Sequence, residues 1–247
     1  MRVLALDTTT RAGSAALVED DRVVAECSGD GARTHALRLP GEIVELAGTN
    51  GWPLASVDFY AVASGPGSFT GLRIGIATIQ GLAFVHGRRI VAVPVLDALA
   101  QAASGGLAAG ALIGAWMDAH RRDVFAALYR VSVPAGAALA GLVEVEGPTV
   151  GSPAATLARW KTLGDALPET FCGDGATLYA ADIANAAPGA CVLPLPLLGG
   201  VLGRLAAART SEALDPASVR PLYVRRADVE VVRDEKLRRN ESSPKET

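Results

Sequence analysis

The chain has 247 residues, 50% hydrophobic and 20% charged, with 23 Lys and Arg against 26 Asp and Glu. That length holds one large domain or two small ones, with ample material for a core. The net charge of −3 lacks the basic excess by which a protein grips nucleic acid unaided, so contact with RNA requires a partner.

Val3 to Leu6 reads as an apolar strand ending at Asp7. It opens the chain with a strand and an acid, which is not the pattern of a signal peptide. Thr8-Thr9-Thr10-Arg11-Ala12-Gly13 forms a polar turn, and Ser14 to Val18 returns as a second strand. Beyond Glu19-Asp20-Asp21, Arg22 to Glu26 makes a third. These three are expected to form an antiparallel meander with the first strand innermost. Thr34 is placed to cap a helix to about Ala47, with Leu39, Ile43 and Leu46 at helical spacing. Gly48 to Pro53 breaks the chain, and Val57 to Ala63 is an apolar run that reads as a buried strand.

Gly65-Pro66-Gly67-Ser68-Phe69-Thr70-Gly71-Leu72-Arg73-Ile74-Gly75 follows that strand and leads into a helix from Phe69 to His86. The first N–H groups of such a helix have no partner within it, and its dipole makes the turn partly positive. Gly65 and Gly67 let another backbone or an anion come close, and Ser68 is a plausible N-cap. Phe69, Leu72, Ile76, Ile79 and Ala83 form one stripe, while Ile74, Leu82 and Val85 lie outside it. The helix is therefore apolar nearly all round and buried on more than one side. Two arrangements satisfy this pattern: a central core helix, or one face on its own sheet with the glycine-lined face receiving a helix from another subunit. Arg73, Gln80 and the glycines make it a poor membrane span.

Arg89 to Val93 is a short strand, and Pro94 opens a helix to about Ala103. Ser104-Gly105-Gly106 is the expected internal boundary. Beyond it, Leu112 to Met117 is a strand ending at Asp118, His120-Arg121-Arg122 a turn, and Val124 to Val131 a returning strand. This repeats the opening of the chain and points to an internal duplication. A third strand at Val143 to Val145, a helix near Ala154 to Leu163, a strand around Phe171 and a last helix from Leu197 to Arg209 complete the second half. The expected division is 1–104, 105–224, and a charged, disordered tail over 225–247.

Strand, Asp, Thr-rich turn, strand is the opening of actin-like and sugar-kinase-like ATPases, whose turn approaches phosphates. Asp7, Thr8, Thr9 and Gly13 fit that pattern loosely, as vestigial phosphate-turn candidates. The second half lacks a matching glycine-rich phosphate turn, because Asp118 to Arg122 has no glycine. Gly173-Asp174-Gly175 reads as a plain strand-to-helix turn, with the relic of an adenosine loop as the other reading. Four residues after His35 stands Leu39, so no helical histidine pair forms there. His35, in the first turn of its helix, reads as an interface or surface histidine. Ser68 has Pro66 and Thr70 where a nucleophile elbow needs glycines. Cys27, Cys172 and Cys191 are odd in number, far apart and in no metal-ligand spacing, as in a reduced cytosolic protein. No metal, cofactor or catalytic residue is assigned.

These residues carry a resemblance. Gly65 to Gly75 resembles the signature of the bacterial TsaB (YeaZ) family. Leu6-Asp7-Thr8-Thr9-Thr10 is similar to its N-terminal Asp-Thr-Ser, and Met117 to Phe125 to its Asp-Ala-Arg segment, with His120 and Asp123 in place of the usual arginine and glutamate. Pro221-Leu222-Tyr223-Val224-Arg225 resembles its Pro-x-Tyr-x-Arg close. The resemblance implies an α/β fold of two actin-like lobes, of the ASKHA (actin, Hsp70, sugar kinase; RNase H-like) type, with a reduced second lobe. It implies a cytoplasmic, non-catalytic scaffold needed by the catalytic paralogue TsaD, which makes N6-threonylcarbamoyladenosine at position 37 of tRNAs reading codons that begin with A. A TsaE-type ATPase docks on the pair, the subunit alone forms a homodimer, and tRNA is met only through the complex. The implied pairing surface lies on the helices Thr34 to Ala47 and Phe69 to His86, with His35, Leu39, Ile43, Leu46, Phe69, Leu72, Gly75, Ile76, Ile79 and Ala83 as contact residues. A small ASKHA-type kinase or acyl-phosphate transferase is the alternative, and a peptidase a further one.

Overall fold

The computed structural model describes residues 1–135, 139–163 and 166–225. The first sheet holds β1 (Arg2–Asp7), β2 (Ser14–Glu19), β3 (Arg22–Ser28), β4 (Phe59–Gly65) and β5 (Arg89–Pro94) in the order β3-β2-β1-β4-β5. β1 runs antiparallel to β2 and parallel to β4, so it is the central strand. Val3, Leu4, Ala5 and Leu6 are all fully buried, the continuous apolar run expected of a strand covered on both faces. β3 is an edge strand and is exposed or half-buried along its length.

On one face of this sheet lie α1 (His35–Thr49) and α2 (Phe69–His86). Leu39, Ile43, Ile76, Ile79 and Ala83 pack there with Leu4, Leu6, Tyr60 and Val62. On the other face lie α3 (Val95–Ala103) and, from much later in the chain, α7 (Gly199–Ala208). α7 sits directly on β1 and β2. A side chain at Gly203 would overlap Val18, and one at Gly199 would press on Ala15 and Ala16. Its first N–H groups are satisfied by the first sheet: Leu198 and Gly199 donate to Ser14 Oγ at 3.2 and 2.8 Å, and Gly200 to Glu26 Oε1 at 2.8 Å. A glycine-rich sequence of low helix propensity is thus held helical by its close fit.

The second sheet repeats the plan. β6 (Leu112–Asp118), β7 (Val124–Val133), β8 (Gly141–Gly151), β9 (Thr170–Cys172) and β10 (Cys191–Leu193) follow the order β10-β9-β6-β7-β8. An antiparallel meander and two further parallel strands therefore occur twice, which is the duplicated ASKHA architecture. The second copy is reduced, since β9 and β10 have three residues each. α4 (Pro153–Leu163), α5 (Asp174–Leu178) and α6 (Ala180–Ala186) cover its outer face, where Trp116, Trp160 and Phe171 form an aromatic cluster. Its inner face shares one core with the first sheet through Leu96, Leu99, Leu202 and Leu205.

Several boundaries differ from expectation. The strand expected at Val57–Ala63 is Phe59–Gly65. Thr34 precedes α1 but its side chain makes no capping bond. Ser104 does cap α3, but α7 and the segment after it return to the first sheet instead of staying with residues 105–224. The tail expected over 225–247 lies, but for Arg225, outside the described residues. Arg225 itself is anchored, donating to the Ala119 carbonyl at 2.7 Å.

Candidate functional site

Three features meet near the carboxyl ends of β1, β4 and β6: the Thr-rich turn, the start of α2, and the cleft between the sheets. Asp7 ends β1 almost fully buried. Its Oδ1 accepts from the Thr9 amide at 2.8 Å and from the Thr9 hydroxyl at 2.6 Å. Burial pushes the Asp7 carboxyl up from its ordinary value, and the two bonds from Thr9 pull it partly back. Thr8 is fully buried, with a hydroxyl that has no hydrogen-bond partner among the described residues. Gly13, at φ +63°, closes the turn by donating to Thr10 Oγ1 at 3.1 Å.

The start of α2 is packed onto this turn. Ser68 donates its amide to the Thr9 carbonyl at 2.8 Å, and its hydroxyl accepts from Gly71 N at 3.2 Å. A side chain at Gly67 would come within 2.6 Å of Thr9 Cβ. Gly71 faces the Thr8 carbonyl and Gly75 the Thr8 hydroxyl, each with no room for a Cβ. Three glycines of the signature are therefore required by contact with Thr8 and Thr9. The candidate phosphate-turn residues Asp7, Thr8, Thr9 and Gly13 are brought together, but their turn is filled by the chain's own backbone.

His35 is buried, not a surface residue. Its Nε2 lies 3.0 Å from the Thr10 carbonyl and its Nδ1 2.7 Å from Arg38 Nη2. Arginine only donates, so Nδ1 accepts and Nε2 carries the proton given to Thr10. Burial lowers the His35 pKa, and the Arg38 charge adds to that against the bond to Thr10. Arg38, also buried, donates to the Ala12 carbonyl and pairs with Glu42 at 2.6 Å. Together they pin α1 to the Thr-rich turn. With both ring nitrogens engaged, His35 is not free to act as a base for Ser68.

The cleft has a volume of about 890 Å³. Thr9, Arg11, Arg33, His35 and Ser68 line one wall, and Asp118, His120, Arg121 and Asp174 the other, with Tyr223 and Arg225 at its edge. Asp174 Oδ1 accepts from the amides of Asp118 and Gly175, at 3.0 and 2.8 Å. His120, Arg121 and Arg122 all adopt the left-handed conformation, at φ 57°, 56° and 66°. Among the described residues no group of three His, Cys, Asp or Glu could hold a metal ion. No described helix is long and apolar enough to cross a membrane.

The contact residues expected on α1 and α2 are corrected by burial. Leu39, Ile43, Leu46, Leu72, Gly75, Ile76, Ile79 and Ala83 all face the chain's own interior, as does His35. They serve the core and are closed to a partner. Of that set only Phe69 is exposed, and it stacks on Tyr223. The outward sides of the same helices carry Leu37, Val44, Phe84 and Val85, which are 70%, 61%, 80% and 76% exposed. Gly41, Gly48 and Gly81 have open space before them. Val85 stood outside the buried stripe in the sequence, and Gly81 and Ala77 precede it at helical spacing. That second, smaller stripe was the available signal.

Residues 29–157, about half of the chain, match the family model described as TsaD, tRNA N6-adenosine threonylcarbamoyltransferase. The tRNA threonylcarbamoyladenosine biosynthesis protein TsaB of Escherichia coli is 37% identical over 133 residues, 53% of this chain and 55% of that protein. Its Haemophilus influenzae counterpart is 40% identical over 42% of this chain and 43% of its own length. The chain thus spans about half the length of these curated relatives. A Mycobacterium tuberculosis protein of uncharacterised function is 31% identical over 92% of each chain. A Pseudomonas aeruginosa crystal structure, described as an uncharacterised protein with similarity to peptidase YeaZ, superimposes with a TM-score of 0.71 at 30% identity, covering 91% of this chain and 99% of that one. YeaZ from Pseudomonas aeruginosa gives 0.68 at 29% identity, covering 90% and 99%.

Proposed function

This chain belongs to the TsaB (YeaZ) family of tRNA threonylcarbamoyladenosine biosynthesis proteins, and on that premise we propose that it is the non-catalytic pairing subunit of that pathway. It acts in the cytoplasm by holding a TsaD-type catalytic paralogue through the outward faces of α1 and α2. The supporting observation is the apolar surface of Leu37, Val44, Phe84 and Val85 on two adjacent helices. Monomeric proteins rarely expose large contiguous apolar patches without a partner. The glycines between these side chains let a partner helix approach closely.

The same surface serves two pairings. A face of two helices that meets its own copy forms an isologous dimer, and a related paralogue presenting a similar face forms a mixed one. The homodimer is then the resting form and competes with the productive pair. A TsaE-type ATPase docks on the mixed pair, which threonylcarbamoylates adenosine 37 of tRNAs reading codons that begin with A. The net charge of −3 leaves tRNA binding to the complex.

The test runs the protein alone and with its TsaD-type partner through light scattering. It then assays threonylcarbamoyl transfer to tRNA from supplied threonylcarbamoyl-adenylate. A homodimer alone, a mixed dimer with the partner, and transfer only when the partner is present are expected. Transfer, phosphoryl transfer or peptide hydrolysis by this chain alone would overturn the reading, as would failure to associate.

A further inference from the structure

The segment from Leu214 to Arg225 contains only a short 3-10 turn at Pro216–Ser218, yet it is tied to the body along its length. Leu214 exchanges two backbone bonds with Ile90, at 2.8 and 3.0 Å. Gln80 of α2 donates to the carbonyls of Pro216 and Val219, at 2.7 and 3.3 Å, and Val219 is buried in the core beneath α1 and α2. Leu222 donates to the Ser64 carbonyl at 2.7 Å. Gly65, at φ +115°, faces the Leu222 carbonyl, where a Cβ would come within 2.7 Å.

From there the segment crosses from one half of the molecule to the other. Tyr223 stacks on Phe69 with ring centroids 5.1 Å apart. Arg73 lies over the Phe69 ring at 4.0 Å and donates to the Tyr223 hydroxyl at 3.0 Å. Two residues later, Arg225 donates to the Ala119 carbonyl at 2.7 Å and pairs with Asp123. Ala119 and Asp123 bracket the left-handed residues His120, Arg121 and Arg122, and they bond to each other through the Ala119 amide at 3.1 Å. One guanidinium thus holds both ends of the β6–β7 turn. Tyr223, Val224 and Arg225 all line the cleft.

We propose that residues 220–225 form an inter-lobe latch, which ties the β6–β7 turn to the start of α2 and holds the cleft at one opening. The lobes share an apolar core beneath the cleft, through α3 and α7. The latch is a second tie, at the mouth. Two ties on opposite sides of a cleft remove the hinge freedom that one would leave. The cluster of Tyr223, Phe69 and Arg73 grips the first lobe, and the Arg225–Asp123 pair grips the second.

The test places spin labels at native Cys191, which is exposed, and at Asp21→Cys, with Cys27→Ser removing the half-buried thiol. Labelled chains are diluted in unlabelled protein to suppress distances between copies. The latched chain should give one narrow distance distribution. Arg225→Ala and Asp123→Ala should each add a second, broader population, and hydrogen exchange of the 118–123 amides should become about tenfold faster or more. Arg225→Lys, whose ammonium can still donate to the Ala119 carbonyl and pair with Asp123, should keep the narrow distribution. Melting curves separate unlatching from unfolding. A folded Arg225→Ala chain with unchanged distances and unchanged exchange would overturn the latch, as would a broadening in Arg225→Lys as large as that in Arg225→Ala.

Discussion

Phe84 tests the proposed pairing face most directly, because 80% of its surface remains in water. Full burial of such a side chain is worth about 1.5–3 kcal/mol. With roughly four-fifths of that still to be gained, and Ala keeping the Cβ, Phe84→Ala should weaken pairing by about 1–2 kcal/mol. That is roughly a 5- to 30-fold rise in Kd. The same exposure means the fold hardly uses this side chain, so folding stability should change by no more than about 0.5 kcal/mol. Ile79 is the control from the opposite side of α2, fully buried against the sheet. Ile79→Ala should cost about 2–5 kcal/mol of folding stability and leave the Kd of the remaining folded protein unchanged. Titration calorimetry with the TsaD-type partner, and with unlabelled self, reads pairing; denaturant unfolding reads stability. If Phe84→Ala and Val85→Ala both pair like the parent chain, the outward face of α2 is not the contact surface, and the argument from exposure fails.

Two further outcomes follow from the Thr-rich turn. Asp7→Asn keeps the Oδ1 acceptor for both Thr9 bonds and removes a carboxyl whose charged form burial disfavours, so thermal stability at neutral pH should be equal or higher, whereas Asp7→Ala should lower it. A chain in which Asn is as harmful as Ala would mean that the ionised carboxylate is itself required. His35 has a folded-state pKa below its ordinary value, so its neutral form is the native one. Its contribution is complete above about pH 6.5 and is lost as pH falls through the depressed native value. Stability should therefore decline on mild acidification, and this part of the decline should vanish in His35→Gln. An unaltered pH profile in that variant would show that the His35–Arg38 contact carries none of it.

How much was legible in the sequence depends on how many tertiary contacts each element needs. α2 was legible to the residue, Phe69 to His86, because Ser68 caps it and Gly87, at φ +62°, ends it; both are local signals. β1 was legible from its apolar run. β8 was expected only over Val143–Val145 but extends from Gly141 to Gly151. It is an edge strand with Pro148 inside it and three register shifts against β7, so it shows no period-two pattern to read. α7 was expected to begin at Leu197 and begins at Gly199. Which sheet it covers could not be read, since the close fit on Ala15, Ala16 and Val18 comes from residues about 180 positions away. The residues expected as contacts on α1 and α2 lie in the interior for a related reason. Helical periodicity finds the larger apolar stripe, and on a helix apolar nearly all round the larger stripe is the one its own sheet takes.

The glycine signature shows how one local pattern serves two different chemistries. In a phosphate-binding turn, the glycines and the free N–H groups at a helix start surround an anion. Here the acceptors come from the chain itself. The Thr9 carbonyl takes the Ser68 amide, and the Ser68 hydroxyl and carbonyl take the amides of Gly71 and Leu72. Gly71 and Gly75, four residues apart, turn the same side of α2 toward Thr8. An anion at this position would have to displace the Thr9 carbonyl from the helix start, reopening a buried joint. The arrangement that fills the site is also what fixes the rotation of α2 about its axis. With Gly71 and Gly75 against Thr8, and Leu72, Ile79 and Ala83 against the interior, Ala77, Gly81 and Val85 can only face outward. The signature thus bears on the proposed pairing only indirectly. It belongs to the inner joint of the helix, and the side chains that a partner would meet stand on the opposite side.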